Sequence, residues 1–449
     1  MVMGQRATAP SQYLLAQADR IEEVLTTLLS TAERPAYVLV DHIIQGARIA
    51  QMTVYHPDFI QPEQIIAHEA QIARAARVPG CRVVTHGTEV WIELPAPTPH
   101  PVPLEYLLRQ AAYDSHDGQL LVPLGETPRR DVVSLDLAAA TTHGLLMIGG
   151  QRSGKTMTLA AIAGGLCRRY PASRVRLAIV DPKGAEPFDP FTYSAHLLHP
   201  VVQSPGEALQ VLEAFSAELQ RRTERQRRLH LVPNCHWVLI LDDVETVLEA
   251  DDMAKYWLDR LLSQGYSQRI HVLVSTAHPE SLPSGLPQRL PVHIAGRLSN
   301  DQIRQAPEWY QWIGADRLLG AGDLLVSPGS EEVFRVQGAY VDLDFAVPLA
   351  TAPIPMLDAA AIQQLSTRHR KAVPFSRALV PMPGQTPDHA RMSAATIATA
   401  ASSRRATSLE PPAETLVPAS FRLSHLFLVL LSALTLLALG GAFAFLVPH

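Results

Sequence analysis

The chain has 449 residues, 47% of them hydrophobic, and a formal net charge of -5. That is enough chain for about three domains, and the acidic balance excludes a protein that coats nucleic acid with its whole surface, so any such contact must come from a local patch. The three cysteines, Cys81, Cys167 and Cys235, are far apart and form no CxxC pair, which speaks against a zinc framework or a disulfide scaffold and for a reduced compartment.

Residues Met1 to Pro10 lack the apolar core of a secretory leader, and none is expected. Leucines at helical spacing predict an opening helix from Ser11 to Ser30. Alternating Ala47, Ile49, Met52 and Val54 predict a strand over Gln45 to His56. A helix over Gln61 to Arg77 follows, then paired strands over Arg82 to Thr85 and Glu89 to Leu94. The proline-rich stretch Pro95 to Pro103 can be neither a central strand nor a helix interior and reads as a linker. A short helix is expected over Leu104 to Ala112.

From Leu120 the pattern changes. Short apolar runs at Leu145 to Ile148, Leu177 to Val180, Val238 to Leu241 and Val272 to Ser275 alternate with helical stretches, which predicts βαβ units and a mostly parallel sheet. Asp323 to Val326 and Phe334 to Val341 read as a closing hairpin. Beyond Asp344 the chain is rich in Pro, Ala, Ser and Thr, and residues Phe345 to Ser420 are expected to form a flexible tether. Leu426 to Val447 then carries no charge at all. It is long enough to cross roughly 30 Å of hydrocarbon as a helix. Arg404, Arg405 and Arg422 precede it, so the positive-inside bias places the rest of the chain in the cytoplasm.

The strongest chemical signal is Gly149-Gly150-Gln151-Arg152-Ser153-Gly154-Lys155-Thr156, which meets the G-x-x-x-x-G-K-[ST] spacing of a Walker A loop. An apolar strand precedes it and a helical pattern starting at Met157 follows. Glycines let backbone N–H groups close around phosphate oxygens, and the helix N-terminus adds partial positive charge. Lys155 would reach the β- and γ-phosphates of ATP, and the Thr156 hydroxyl would coordinate Mg²⁺. The run Trp237 to Asp243 reads as a Walker B strand. A buried parallel strand there delivers acids at its C-terminal end, where ligands bind in open α/β sheets. Asp242 is expected to hold Mg²⁺ and Asp243 to orient the attacking water.

Weaker signals surround these two. Asp181-Pro182-Lys183 ends another strand, and a simple loop explains it as well. Thr276 ends the next strand and is either a γ-phosphate sensor or a strand-capping hydroxyl. Arg297 and Arg304 are either arginine fingers for a neighbour's phosphate or solvated surface groups. Arg221 to Arg228, RRTERQRR, is either a phosphate-binding cluster or a helix end whose cations favour the dipole. His196, His199 and His278 lack ligand spacing and read as structural.

Together these motifs resemble the FtsK/SpoIIIE DNA-translocase family over about Gln45 to Asp344. The resemblance lies in the strand and Walker A loop from His143 to Thr156 and in Asp181-Pro182-Lys183 with Glu186. It continues through His196 to Val202 with Glu207 and Ala208, Gly314 to Gly320 with Gly322-Asp323, and the strand Arg335 to Val341. It implies an α/β fold: a RecA-like P-loop NTPase domain over residues 104–344 and a smaller N-terminal α/β domain over 1–100. A linker over 345–420 and a single C-terminal transmembrane helix over 423–447 complete the expected organisation. It implies ATP and Mg²⁺ as cofactors, double-stranded DNA as partner and a homohexameric ring, while the apolar run Leu426 to Val447 gives the expected membrane location.

The chain departs from the family pattern at several points. Asp243 stands where the family has Glu, which shortens the acid by one methylene and is expected to slow hydrolysis. Thr276-Ala277-His278-Pro279 lacks a polar sensor group, the segment between Arg228 and Trp237 is short, and no winged-helix module follows the motor. The membrane segment is also C-terminal instead of N-terminal. Two alternatives therefore stay open: a protein-export ATPase like those of type VII secretion, and a weakly hydrolysing, nucleotide-switched membrane assembly protein.

Overall fold

The computed structural model describes residues 10–351, apart from 88, 111–117, 232–233 and 330–331. The greater part of the expected tether and the whole apolar run Leu426 to Val447 lie outside the described residues. Among the described residues, no helix is long and apolar enough to cross a membrane.

The N-terminal region begins with α1 (Gln12–Leu29), whose N-cap Ser11 accepts a hydrogen bond from Leu14 N–H. Its buried stripe, Leu14, Ala18, Ile21 and Leu25, repeats at helical spacing. Strands β1 (Leu39–Gln45) and β2 (Ile49–Tyr55) follow, then α2 (Pro62–Ile66), α3 (Glu69–Ala76), β3 (Arg82–His86) and β4 (Glu89–Pro95). The four strands form an antiparallel sheet in the order β1-β2-β4-β3. Met52, Val54, Val83, Val90 and Ile92 from this sheet pack with the stripe of α1 and with Ile65 and Ile72.

Two expectations are corrected here. The strand expected over Gln45 to His56 is two strands, because the chain turns at Gly46, whose N–H donates to Ile49 O at 2.9 Å. Gln45 belongs to the edge strand β1, whose residues are all half-buried or exposed and so carry little alternation. The helix expected over Gln61 to Arg77 is two helices, because His68 sits at φ -101° and ψ 15°, outside the helical ladder.

The second region contains β5 (Val102–Pro103), α4 (Leu104–Gln110), β6 (Leu121–Glu126), β7 (Val132–Asp136), β8 (Leu145–Ile148) and α5 (Lys155–Arg169). Next come β9 (Val175–Val180), α6 (Pro205–Leu229), β10 (His236–Leu241), α7 (Glu245–Leu248), α8 (Asp252–Gln264) and β11 (Ile270–Thr276). It ends with α9 (Leu286–Arg289), β12 (Val292–Ala295), α10 (Asn300–Gln305), α11 (Glu308–Trp312), β13 (Asp323–Pro328) and β14 (Phe334–Tyr340). The sheet runs β7-β6-β14-β13-β12-β8-β11-β10-β9, with β5 beside β14. The five strands β12, β8, β11, β10 and β9 are mutually parallel, and the β13–β14 hairpin extends them antiparallel. A parallel strand covered by helices on both faces must be apolar on both. Leu145 to Ile148 and Val238 to Leu241 are accordingly buried without interruption and divide between two cores on opposite faces.

This topology places β11 between β8 and β10. The ends of β8, β9, β10 and β11 then open at one edge, each followed by a polar turn, as in α/β folds whose ligands sit at the carboxyl ends of the strands.

The two regions are joined by buried charge. Arg335 on β14 binds Asp323 on β13 at 2.9 and 2.7 Å and Glu93 on β4 at 2.8 Å. The side chains of all three are at most 4% exposed. Burial opposes the charge on Arg335, yet Asp323 and Glu93 outweigh it and raise the guanidinium above the usual arginine range. Arg82 also reaches Glu93, at 3.2 Å, and Arg317 reaches Glu69 at 2.6 Å. Past β14 the chain does not leave the surface at once. Phe345 and Val347 are buried against the core, and Ala195 N–H donates to Pro348 O at 2.8 Å. The tether expected from Phe345 therefore starts with a docked segment, because two apolar side chains there find an apolar groove.

Candidate nucleotide site

The loop between β8 and α5 is shaped by glycines. Gly154 caps α5 at φ 106°, a region that disfavours any residue with a Cβ. A Cβ there would also fall 2.6 Å from Gly322 N, because a second loop presses on the first. Ala321 N–H donates to Arg152 O and Gly322 N–H to Ser153 O, each at 2.9 Å. Arg48 of the N-terminal region holds this second loop from outside, donating to Gly320 O at 2.9 Å and Ala321 O at 3.0 Å. Gly150 N–H is tied to Arg297 O at 2.8 Å and Gly149 N–H to Thr276 O at 3.2 Å. The loop is thus pinned by its neighbours on β11, on the chain after β12 and on the 320–322 turn.

Lys155 is buried at the mouth of α5 and donates to Gly149 O at 2.9 Å and Gly150 O at 3.2 Å. Burial lowers its ammonium below the usual lysine range, against the raising pull of Asp243 and Asp242. An ammonium held this way, by its own loop's carbonyls, is placed to meet a phosphate. Thr156 donates its hydroxyl to Asp242 Oδ2 at 2.6 Å. Ser275, on β11, donates to the other oxygen, Asp242 Oδ1. Burial raises the Asp242 carboxyl above the usual range, while the Ser275 and Thr156 hydrogen bonds pull it back. A hydroxyl and a carboxylate brought face to face from α5 and β10 are hard oxygen donors. They suit Mg²⁺, which takes one or two protein oxygens and completes its shell with water and phosphate.

Asp243 follows at φ 48°, a left-handed conformation that Asp tolerates better than most residues. Its backbone N–H donates to Ser275 Oγ at 3.2 Å. Its Oδ2 lies 2.5 Å from Lys183 Nζ, and its Oδ1 is buried with no donor among the described residues. Lys183 stands on the turn after β9, where Asp181 Oδ1 accepts from Lys183 N–H at 3.2 Å and Asp181 Oδ2 accepts from Ala185 N–H. Burial lowers the Lys183 ammonium, but the hydrogen bond and charge of Asp243 outweigh it and raise it.

The remaining candidates divide. Thr276 Oγ1 accepts from His278 N–H at 2.9 Å, the strand-capping arrangement. Arg297 is exposed beside the phosphate loop, whereas Arg304 pairs with Asp301 on its own helix. In the RRTERQRR run, Arg222 is buried and donates to Cys235 O and Gln268 O at 2.9 and 2.7 Å, so it is structural. Arg221, Arg225, Arg227 and Arg228 are exposed, Arg221 being paired with Glu218. Met157 faces the other flank of the loop, its sulfur accepting from Val341 N–H at 3.2 Å. There, with Gly154, Thr158, Val102 and Tyr340, it lines a cleft of about 430 Å³. His196 is buried, with Nε2 2.8 Å from Tyr170 O. Ser275 was not among the sequence candidates. It is adjacent to Thr276 on a strand, and alternation sends the two side chains to opposite faces; the one facing Asp242 is Ser275.

Residues 103–231 match the model of the FtsK/SpoIIIE family. The chain carries an FtsK/SpoIIIE domain. It is 27% identical over 388 residues to a DNA translocase FtsK of Chlamydia muridarum, covering 76% of this chain and 48% of the relative. It is 23% identical over 359 residues to the DNA translocase FtsK of Caldanaerobacter subterraneus, covering 74% and 48%. The DNA translocase SpoIIIE of Bacillus subtilis is 23% identical over 337 residues, covering 68% and 42%. The chain thus spans about half the length, or less, of these curated relatives. Among solved structures, the pCW3 conjugation coupling protein TcpA with ATPγS is similar with a TM-score of 0.47 and 16% identity, covering 78% of this chain and 99% of that one. The cytoplasmic domain of the Thermomonospora curvata type VII secretion ATPase EccC gives 0.46 and 19%, covering 59% and 34%. The matched stretch, residues 103–231, contains the whole phosphate loop together with the turn that carries Lys183.

Proposed function

We propose that this chain is an ATP-driven motor of the DNA-translocase type. The observation that carries the reading is the meeting of Lys155, Thr156, Asp242 and Ser275 at one sheet edge, with Lys155 and Thr156 inside the stretch that matches the FtsK/SpoIIIE family model. In this reading the phosphate loop and Lys155 grip the β- and γ-phosphates, and the nucleoside lies in the cleft beside Met157. Thr156 and Asp242 hold Mg²⁺, which when bound neutralises charge on the phosphates. Asp243 orients the water that attacks the γ-phosphate. The chain works as a homohexameric ring around double-stranded DNA, with exposed Arg225, Arg227 and Arg228 available to phosphates. Arg297, exposed beside the loop, is the better placed of the two finger candidates. The apolar run Leu426 to Val447 tethers the ring to a membrane, with the motor in the cytoplasm.

The deciding experiment is ATP turnover with and without long duplex DNA at two salt concentrations. The expected result is stimulation by duplex that weakens as salt rises, because phosphate contacts release counterions. Turnover indifferent to any duplex would remove DNA as the cargo while leaving the ATPase intact.

The second reading, a slowly hydrolysing nucleotide-switched assembly protein, is favoured by one observation: Asp243 already has an oxygen engaged by Lys183. The test is Asp243→Glu. A gain in turnover of about tenfold or more would mark a site slowed by a short acid, since positioning errors of an ångström are costly. Brisk turnover by the natural protein with no gain from Glu would discard this reading.

A further inference from the structure

The pair Lys183–Asp243 is unlike an ordinary surface ion pair. Asp243 is 4% exposed and Lys183 64% exposed, so a solvent-facing stem delivers its charge onto a buried acid. The turn that carries Lys183 is fixed from both sides. Pro182 restricts it, Asp181 binds two of its N–H groups, and Gly184 adopts φ 63° against Gln203. The turn is also in register with the site, since Val180 pairs with Leu241 and Asp242 N–H donates to Val180 O at 3.0 Å. At Lys155, burial lowers the ammonium most, Asp243 pulls it back up, and Lys183 lowers it further. Lys155 at the start of α5 and Lys183 on the turn after β9 are thus both coupled to Asp243.

An acid that is to orient water must have its oxygens free to accept protons from that water. An ammonium 2.5 Å from Oδ2 occupies one of them in a charge-assisted bond. A γ-phosphate gripped by Lys155 would bring more negative charge than one carboxylate into the site, within reach of a lysine whose four-carbon stem is free to pivot. A diphosphate would not.

We propose that Lys183 is a second lysine of the phosphate site, one that leaves Asp243 for the γ-phosphate when a nucleoside triphosphate binds and returns to Asp243 when a diphosphate remains. The inference rests on the ATP-site reading above. It makes Lys183 the group that tells triphosphate from diphosphate and frees Asp243 only in the triphosphate state.

The test is calorimetric binding of ATPγS and of ADP, each with Mg²⁺, to the natural protein, Lys183→Gln and Lys183→Arg. Lys183→Gln is expected to weaken ATPγS by at least about tenfold, the scale of a hydrogen bond to a charged group, with ADP changed less than about twofold. Lys183→Arg, which keeps the charge, should recover part of the preference. The same loss is expected when Lys183→Gln is made in an Asp243→Asn background, because the contact is with phosphate itself. An equal change for both nucleotides, no change for either, or a loss that vanishes in the Asp243→Asn background would overturn the assignment and leave Lys183 as a support for Asp243. If the natural protein binds neither nucleotide, the ATP-site reading fails instead.

Discussion

Lys155→Ala is expected to reduce ATP turnover by roughly a hundred- to a thousandfold, the cost of removing one preorganised charge from a site of this kind. The ammonium sits on α5 and donates to the carbonyls of Gly149 and Gly150. No other lysine stands on the loop itself, and Lys183 is engaged with Asp243. The fold should tolerate the change, since the helix core beneath it, Leu159, Ile162 and Leu166, is untouched. A thermal melt close to that of the natural protein, together with lost turnover, is the expected pair of results. Turnover within about threefold of the natural value would remove the phosphate loop from the chemistry.

Arg335→Met is expected to destabilise the protein by about 3–5 kcal/mol, the usual consequence of removing one partner from a buried ion pair. The cost comes from what is left behind. Glu93 and Asp323 are both almost fully buried and would face each other's charge with less compensation. Arg82 still reaches Glu93, and Leu319 N–H still donates to Asp323 at 2.7 Å, so neither acid is wholly abandoned. Replacing Glu93 by Leu alongside Arg335→Met should recover part of the loss, because a hydrophobic pair of similar volume avoids the desolvation cost. Chemical denaturation of the single and double variants measures both. A single-variant loss under about 1 kcal/mol would be the behaviour of an exposed pair and would contradict the burial described.

The phosphate loop can be read from the chain because its geometry is local. Eight consecutive residues set the turn, the cap and the ammonium, and β8 and α5 are each signalled by their own pattern. The acids of the Walker B strand are legible for a related reason, since a run of apolar residues ending in two carboxylates has few other uses. Ser275 is not legible in the same way. Its role depends on β11 lying between β8 and β10, which is a property of strand order and not of neighbouring residues. Lys183 and Arg335 share that character. A loop lysine and a strand arginine look ordinary until the sheet brings Asp243, Glu93 and Asp323 against them. The edge strand β1 is hidden for a different cause: its residues are half-buried or exposed, so it shows little alternation to find.

Arg48 gives the phosphate loop a mechanical connection to the small N-terminal sheet. It stands at the turn into β2 and grips the carbonyls of Gly320 and Ala321, and those residues in turn are bonded to Arg152 and Ser153. Any tilt of that sheet that pulled on the guanidinium would be felt two hydrogen bonds later by the backbone that surrounds the phosphates. Thermodynamic linkage makes the traffic reciprocal. Work done on the loop by an incoming or departing phosphate can be delivered as rotation of the sheet, and torque applied to the sheet can change how tightly the phosphate is held.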